Sequence, residues 1–148
     1  MFIDDEKYSD NFWAKEFNYI EPETSLLRVL ERLRAITGES IAITSAAREV
    51  ADHIRIYKEL ESEGKLGGKK WHEAIPRGSR HLPSFTKKLR AVDFKAKKGN
   101  SFYSGEELLS LLSDIEKEFG IMLGIGVGST FCHLDVDRKR SAVWHYSY

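Results

Sequence analysis

Three ionisable side chains stand in apolar, strand-like stretches of the sequence. Asp93 lies within Ala91–Phe94, and His133 and Asp135 lie within Phe131–Val136. Because side chains alternate between the two faces of a strand, His133 and Asp135 share one face and their apolar neighbours share the other. Such groups are costly to bury unless they are hydrogen-bonded, paired with a charge or bound to a metal.

Histidine and carboxylate side chains held together are typical of a zinc site. Two histidines and one carboxylate form a common open zinc set, in which a water takes the fourth position and is acidified by the metal. Two other interpretations stay open from these residues alone. His133 can be a hydrogen-bonded structural histidine, and Asp93 can be a turn former or the partner of a cation.

Periodicity and capping signals predict the elements that position these residues. Apolar residues at helical spacing predict one helix after Pro22 that ends at Gly38, and a second over Ala47–Ser62. A third helix begins at a capping box formed by Ser104 and Glu107. Strands are predicted at Ile41–Thr44, Arg90–Phe94, Ile121–Val127, Phe131–Val136 and Ser141–Tyr146. Helices precede an antiparallel sheet, so the fold class is α+β.

The composition is that of one globular domain over residues 1–148. Hydrophobic residues make up 41% and charged residues 31%, a mix that excludes a disordered chain. The single cysteine, Cys132, excludes an intramolecular disulfide, and its place on the apolar face of its strand predicts an inert buried thiol. No apolar run approaches the roughly 18 residues of a membrane span, and no leader is recognisable, so we expect neither stable membrane association nor a signal peptide.

Charge is distributed unevenly along the chain. Between Arg77 and Lys98 there are eight lysines and arginines against one acid, although the whole chain carries no net charge. Such a basic stretch suits an anionic polymer, either a cell wall or a nucleic acid. We expect no nucleic-acid partner, because aromatic residues are hardly interleaved there and no nucleic-acid-binding motif is present.

The sequence context also predicts where the remaining histidines and one tryptophan lie. His53 in the second helix and His72 in a glycine-rich stretch are predicted to be surface residues. Trp144 and His145 are candidates to line a cleft, although a place in the core is favoured for Trp144. The stretch Gly64–Arg80 has no period and predicts a loop.

Three blocks of the sequence stand in a recognisable order. They are Asn11–Phe17 with Ile43–Arg48, Ser79–Leu82 with Arg90–Asp93, and Gly124–Gly126 with Phe131–Val136 and Trp144. The first resembles the N-terminal stretch, ending in Ser-Gly-Tyr-Arg, of small zinc peptidases of the D-alanyl-D-alanine carboxypeptidase and L-alanyl-D-glutamate endopeptidase group. The second resembles their Ser-x-His…Ala-x-Asp zinc motif. The third resembles their closing Gly-Ile-Gly…Val-His-Val-Asp-Val strand.

The resemblance implies a fold, a metal and a role for each site residue. The fold would be of the Hedgehog/DD-peptidase type, with N-terminal helices packed on a small antiparallel sheet. His81, Asp93 and His133 would be the zinc ligands. Asp135 would be the general base for the attacking water, with orientation of a ligand histidine as a nearly equal alternative. Arg48 would face the substrate, where its guanidinium suits the carboxylate of a peptidoglycan stem peptide.

The function implied by the resemblance is that of a zinc metallopeptidase acting on peptidoglycan stem peptides, as a carboxypeptidase or an endolysin-type endopeptidase. We expect a monomer that is made in the bacterial cytoplasm and acts on the cell wall after release. Two departures favour an alternative. Eleven residues separate His81 from Asp93, more than in the family's motif, and Ser45–Arg48 lacks the family's tyrosine. The alternative is a catalytically impaired member that binds cell wall or another protein.

Overall fold

The computed structural model describes residues 6–46, 50–75 and 88–148. The fold class is α+β, as predicted. The helices are α1 (Thr24–Thr37), α2 (Val50–Ser62), α3 (Trp71–Ala74) and α4 (Gly105–Phe119), with a 3-10 helix at Ala14–Phe17. The strands are β1 (Lys7–Ser9), β2 (Phe12–Trp13), β3 (Ile41–Ser45), β4 (Ala91–Lys98), β5 (Ser101–Phe102), β6 (Gly124–Val127), β7 (Cys132–Asp135) and β8 (Ala142–His145).

Local signals at the helix ends delimit α1 and α4. Helix α1 ends at Gly38, whose φ of 68° is a left-handed conformation that glycine adopts without a steric cost. Helix α4 begins at the predicted capping box. The Ser104 hydroxyl accepts from the Glu107 N–H at 3.1 Å, and the Glu107 carboxylate accepts from the Ser104 N–H at 3.1 Å. No helix in the described part of the chain is long and apolar enough to cross a membrane.

The main sheet has the strand order β3-β4-β7-β6-β8, and β5 extends it beside β4. The pairings in this sheet are antiparallel, as predicted, except that β8 runs parallel to β6. Both edges of β7 are already occupied, one by β4 and the other by β6. The chain reverses after β7 and pairs at the outer edge of β6, so β8 takes the direction of β6.

One face of this sheet forms the core with α1 and α4. Leu30 and Leu33 of α1, together with Leu112 of α4, are fully buried, as are Phe94 and Leu134 on the strands. Alternation along the strands then turns the other half of the strand residues to the opposite face. We call that opposite face, which carries Asp93, His133 and Asp135, the site face.

Three local predictions can be compared with the structure directly. Cys132 is a buried thiol, as expected, and burial together with the nearby Glu106 and Asp93 carboxylates raises its pKa to about 12. The prediction that His53 is a surface residue is wrong, because its ring is buried and lies edge-on to Tyr57 with centroids 5.2 Å apart. The stretch predicted to be loop contains α3, on which His72 is exposed.

Candidate functional site

The site face carries a row of residues, one from each of five strands. The strand register aligns, from β3 to β8, Ser45, Asp93, His133, Gly126 and Trp144. The next row aligns Ala91, Asp135, Gly124 and Ala142. The predicted strand alternation therefore brings Asp93, His133 and Asp135 together on adjacent positions of β4 and β7.

His133 lies between two carboxylates. Its Nδ1 is 3.1 Å from Oδ1 of Asp93, and its Nε2 is 2.7 Å from Oδ2 of Asp135. The imidazole side chain is only 10% exposed, so water cannot replace these partners easily. Asp93 is the register partner of His133 on the neighbouring strand β4. Asp135 lies two residues further along β7 and therefore on the same face as His133.

The protonation of His133 follows from these contacts. Burial disfavours the charged ring, but both carboxylates only accept hydrogen bonds and therefore favour a ring that donates from both nitrogens. Burial lowers the pKa of His133, the hydrogen bonds to Asp135 and Asp93 raise it, and the net result is a pKa above its ordinary value. Without a bound metal, these contacts therefore favour the protonated ring of His133 between the two carboxylates.

Asp135 is held from its other side by Arg138. The Arg138 guanidinium donates to Oδ1 of Asp135 at 2.7 Å, and the Asp135 side chain is 4% exposed. Burial raises the pKa of Asp135, but the hydrogen bonds from His133 and Arg138 outweigh this and bring it below its usual range. A cation and an imidazole therefore keep Asp135 ionised although it is buried.

The two glycines of β6 leave room for this arrangement. A Cβ at Gly124 would lie 2.5 Å from both carboxylate oxygens of Asp135 and from a guanidinium nitrogen of Arg138. A Cβ at Gly126 would lie 2.7 Å from Nε1 of Trp144 and 2.8 Å from Oη of Tyr146. Any other residue at either position would have to displace polar atoms of the site face.

Aromatic rings border the site on the β8 side. The rings of His133 and Trp144 have centroids 5.1 Å apart, and the guanidinium carbon of Arg138 lies 5.9 Å from the Trp144 ring centroid. The favoured core assignment of Trp144 is therefore wrong, since its ring stands on the site face and is only half-buried. The indole nitrogen of Trp144 and the phenolic oxygen of Tyr146 both lie over Gly126.

The donor atoms of Asp93 and His133 suit a zinc ion. Two ligand atoms about 2.0–2.1 Å from zinc, at a tetrahedral angle, lie roughly 3.3 Å apart. The observed separation of Asp93 Oδ1 and His133 Nδ1 is 3.1 Å. The second nitrogen of His133 faces a carboxylate, as the second nitrogen of a zinc-bound histidine usually does. Within residues 6–46, 50–75 and 88–148, however, no group of three or more potential ligand side chains could hold a metal ion.

Two predicted site residues lie outside the described residues. They are His81, the third expected ligand, and Arg48, the expected substrate contact. Two other residues of the site were missed from the sequence, Arg138 and Tyr146. A signal existed for Tyr146, because alternation along β8 puts it on the same face as Trp144. Arg138 had none, since it follows β7 in a loop where no strand period applies.

No protein-family model, curated protein or solved structure matches this chain. The resemblance to small zinc peptidases therefore rests on the residues and their order in this sequence. It enters the function below as a proposal.

Proposed function

We propose that the chain is a zinc-dependent metallopeptidase that cleaves peptide bonds in the stem peptides of bacterial peptidoglycan, with His81, Asp93 and His133 as the zinc ligands. The observation that carries the proposal is the pair of donor atoms on Asp93 and His133, which are 3.1 Å apart on aligned positions of neighbouring strands. The carboxylate behind His133 adds support, because it orients the ring as a ligand.

When bound, zinc would supply an acidified water and polarise the scissile carbonyl. The protein residues would provide position and proton transfer. Asp135 accepts a hydrogen bond from His133 and keeps its tautomer fixed, while Arg138 fixes Asp135. Because both oxygens of Asp135 already have partners, the contacts favour the orienting role over that of a general base.

The substrate class rests on the resemblance and on Arg48. Stem peptides carry carboxylates near their peptide bonds, and a guanidinium binds a carboxylate through two parallel hydrogen bonds. Removing one member of a buried charge-assisted pair costs roughly 2 to 5 kcal/mol. We therefore expect Arg48→Ala to lower kcat/KM by at least about thirtyfold, since 1.4 kcal/mol is about tenfold. Arg48→Lys should recover part of the loss, because it restores the charge without the planar fork.

The substrate comparison uses one peptide and the same peptide with its recognised carboxylate amidated. The wild-type protein should discriminate strongly between them, and Arg48→Ala should not. Equal discrimination by both proteins would remove Arg48 from the site and leave the zinc assignment untouched.

A second candidate is a catalytically impaired member of the same family that binds cell wall or another protein. It is favoured by the eleven residues between His81 and Asp93, which are more than the family's motif has. It is also favoured by His133, whose two nitrogens are both taken by carboxylates. A structural imidazolium of this kind needs no metal.

The deciding experiment measures metal and hydrolysis together. Protein purified without added metal is analysed for zinc, and purified peptidoglycan is digested with and without a chelator, followed by mass spectrometry of the released fragments. We expect one zinc per chain and chelator-sensitive cleavage, with both lost in His81→Ala. His72→Ala is the matched control, because His72 is exposed on α3 and should leave zinc and cleavage unchanged. Peptidoglycan binding without cleavage, in a chain that takes up no zinc, would establish the second candidate instead.

A further inference from the structure

Tyr146 follows β8 directly, and its phenol reaches back over the strand next to His133. A Cβ at Gly126 would be 2.6 Å from Cε2 and 2.8 Å from Oη of Tyr146, so the phenolic end occupies the space above that glycine. Gly126 is the register partner of His133. The hydroxyl therefore lies on the site face, one strand away from the proposed ligand.

The ring of Tyr146 is fixed on several sides. It stacks on Phe131 with centroids 5.5 Å apart and an interplanar angle of 26°. Tyr148 lies 5.5 Å away, and Trp144 meets the ring edge-on at 6.5 Å. The backbone N–H of Tyr146 donates to the carbonyl of Val127 at 2.9 Å. A group held this firmly needs little reorganisation to act on a bound molecule.

The hydroxyl of Tyr146 is a neutral donor. Burial raises the pKa of Tyr146, a hydrogen bond from Trp144 opposes this, and the charge of Asp93 raises it further, so that the phenol keeps its proton. The indole of Trp144, which lies over the same glycine, is a donor only and therefore cannot accept the phenolic hydrogen of Tyr146.

We infer that Tyr146 is a catalytic hydrogen-bond donor of the proposed peptidase, aimed at the substrate carbonyl oxygen as it gains negative charge. The inference rests on the proposed function, since a peptide carbonyl must be attacked in this site. It assigns Trp144 a positioning role, because its indole packs edge-on against the phenol ring and offers the phenolic hydrogen no acceptor. Phe131 and Tyr148 only support the ring.

The test compares Tyr146→Phe with Tyr148→Phe. Each change removes one phenolic hydroxyl and keeps its ring in the same aromatic cluster. Measurements are zinc content, thermal unfolding, kcat and KM on soluble peptidoglycan fragments, and affinity for a phosphinate analogue of the cleaved dipeptide. In Tyr146→Phe we expect kcat and analogue affinity to fall by about 100-fold, the usual loss for one donor to a developing oxyanion. KM, zinc content and unfolding temperature should stay at wild-type values, and Tyr148→Phe should match wild type throughout.

A positioning variant, Trp144→Phe, extends the test. It keeps an aromatic ring but loses the N–H, so kcat should fall by less than in Tyr146→Phe, and the double variant should be no slower than Tyr146→Phe alone. A wild-type kcat in Tyr146→Phe overturns the inference and leaves the proposed function standing. A loss of zinc or of folded protein in Tyr146→Phe also overturns it, because the residue would then be structural. A wild-type protein with bound zinc that neither cleaves the fragments nor binds the phosphinate overturns both.

Discussion

The two faces of the main sheet are built from alternate residues of the same strands, yet they are stabilised in different ways. On the core face, Leu134 and Phe94 are fully buried against apolar helices, and burial itself is favourable. On the site face, His133 and Asp135 are also buried, but burial disfavours their charged forms. Only specific partners offset that desolvation cost, and buried ion pairs are weak contributors to stability. Adjacent residues of one strand therefore differ in role, because the apolar ones stabilise the fold and the ionisable ones form the site.

The faces also differ in how space is filled. Large apolar side chains occupy the core face, whereas β6 presents Gly124 and Gly126 to the site face. The missing side chains are replaced by groups from elsewhere, namely the Asp135–Arg138 pair over Gly124 and the Trp144–Tyr146 pair over Gly126. The site face is therefore shaped for polar chemistry and the core face for stability.

The largest effects are expected from substitutions at two neighbouring residues of β7 that lie on opposite faces of the sheet. We expect His133→Gln to lose its zinc and its cleavage of peptidoglycan, because one ligand of three is removed. Leu134→Ala should lower the free energy of unfolding by about 2–5 kcal/mol through the cavity it leaves, while zinc per folded chain stays at the wild-type value. The measurements are metal analysis of the folded fraction and chemical denaturation of both variants. Zinc lost from folded Leu134→Ala, or kept by His133→Gln, would contradict the division.

The next effect concerns Asp135, which belongs to the site face by alternation and by its contacts. Asp135→Asn keeps an oxygen that accepts from His133 but loses the charge, so we expect zinc to stay bound at metal excess. Turnover should fall by about two to four orders of magnitude if Asp135 is a general base. If it only orients His133, zinc affinity should fall by about 10- to 100-fold, and saturating zinc should restore most turnover.

Asp137→Asn is the matched control for this change. It removes the same charge two residues away, where the Asp137 side chain is 67% exposed and interacts with Arg90. Its backbone has a φ of 63°, a conformation that asparagine tolerates well. Zinc affinity and turnover should both match wild type. An equal loss in Asp137→Asn would mean that the effect arises from surface charge rather than from the site.

Much of this division into two faces could be predicted from the sequence, because it follows from the alternation of apolar and ionisable side chains along the strands. Alternation in Phe131–Val136 placed His133 and Asp135 on one face, and the Ser104–Glu107 capping box marked the start of α4. The parallel pairing of β8 could not be predicted, since it depends on which strand edges remain free after β4, β6 and β7 have paired. The contact between Arg138 and Asp135 could not be predicted either, because Arg138 lies in a loop, where no repeat in the sequence indicates the direction of a side chain. His53 was assigned to the surface because ionisable residues usually lie there.

A smaller effect is expected from the space over β6. Gly124→Ala should push the Asp135 carboxylate and the Arg138 guanidinium away, because the added Cβ would lie 2.5 Å from both. We expect a loss of about tenfold in zinc affinity through the disturbed orientation of His133. The check is a double-mutant cycle with Arg138→Ala, which removes one of the two clashing groups. Its combined loss should be smaller than the sum of the single losses, and strict additivity would show that the Gly124 effect does not pass through this pair.

The smallest effect is a pH dependence with opposite signs in two measurements. The pKa of His133 is raised, so its charged contacts stabilise the metal-free protein fully below the ordinary histidine pKa of about 6.5. That stabilisation should be lost as pH rises through the raised value. Asp135 has a lowered pKa, so its contribution is present above the ordinary carboxyl range and lost only as pH falls through the lowered value. The metal-free chain should therefore be most stable in mildly acidic solution.

Zinc binding should follow the reverse trend, because the metal must displace a proton from His133. Apparent zinc affinity should fall by about tenfold per pH unit below the raised pKa of His133, starting at a higher pH than for an ordinary histidine. Denaturation of chelator-treated protein and chelator competition for zinc, both between pH 5 and pH 9, measure the two trends on one sample. Asp135→Asn removes a cause of the raised pKa and should shift both curves to lower pH together. Curves that move independently would mean that the group titrating in the metal-free protein is not the one that binds zinc, and His133 would then be a structural residue of the site face.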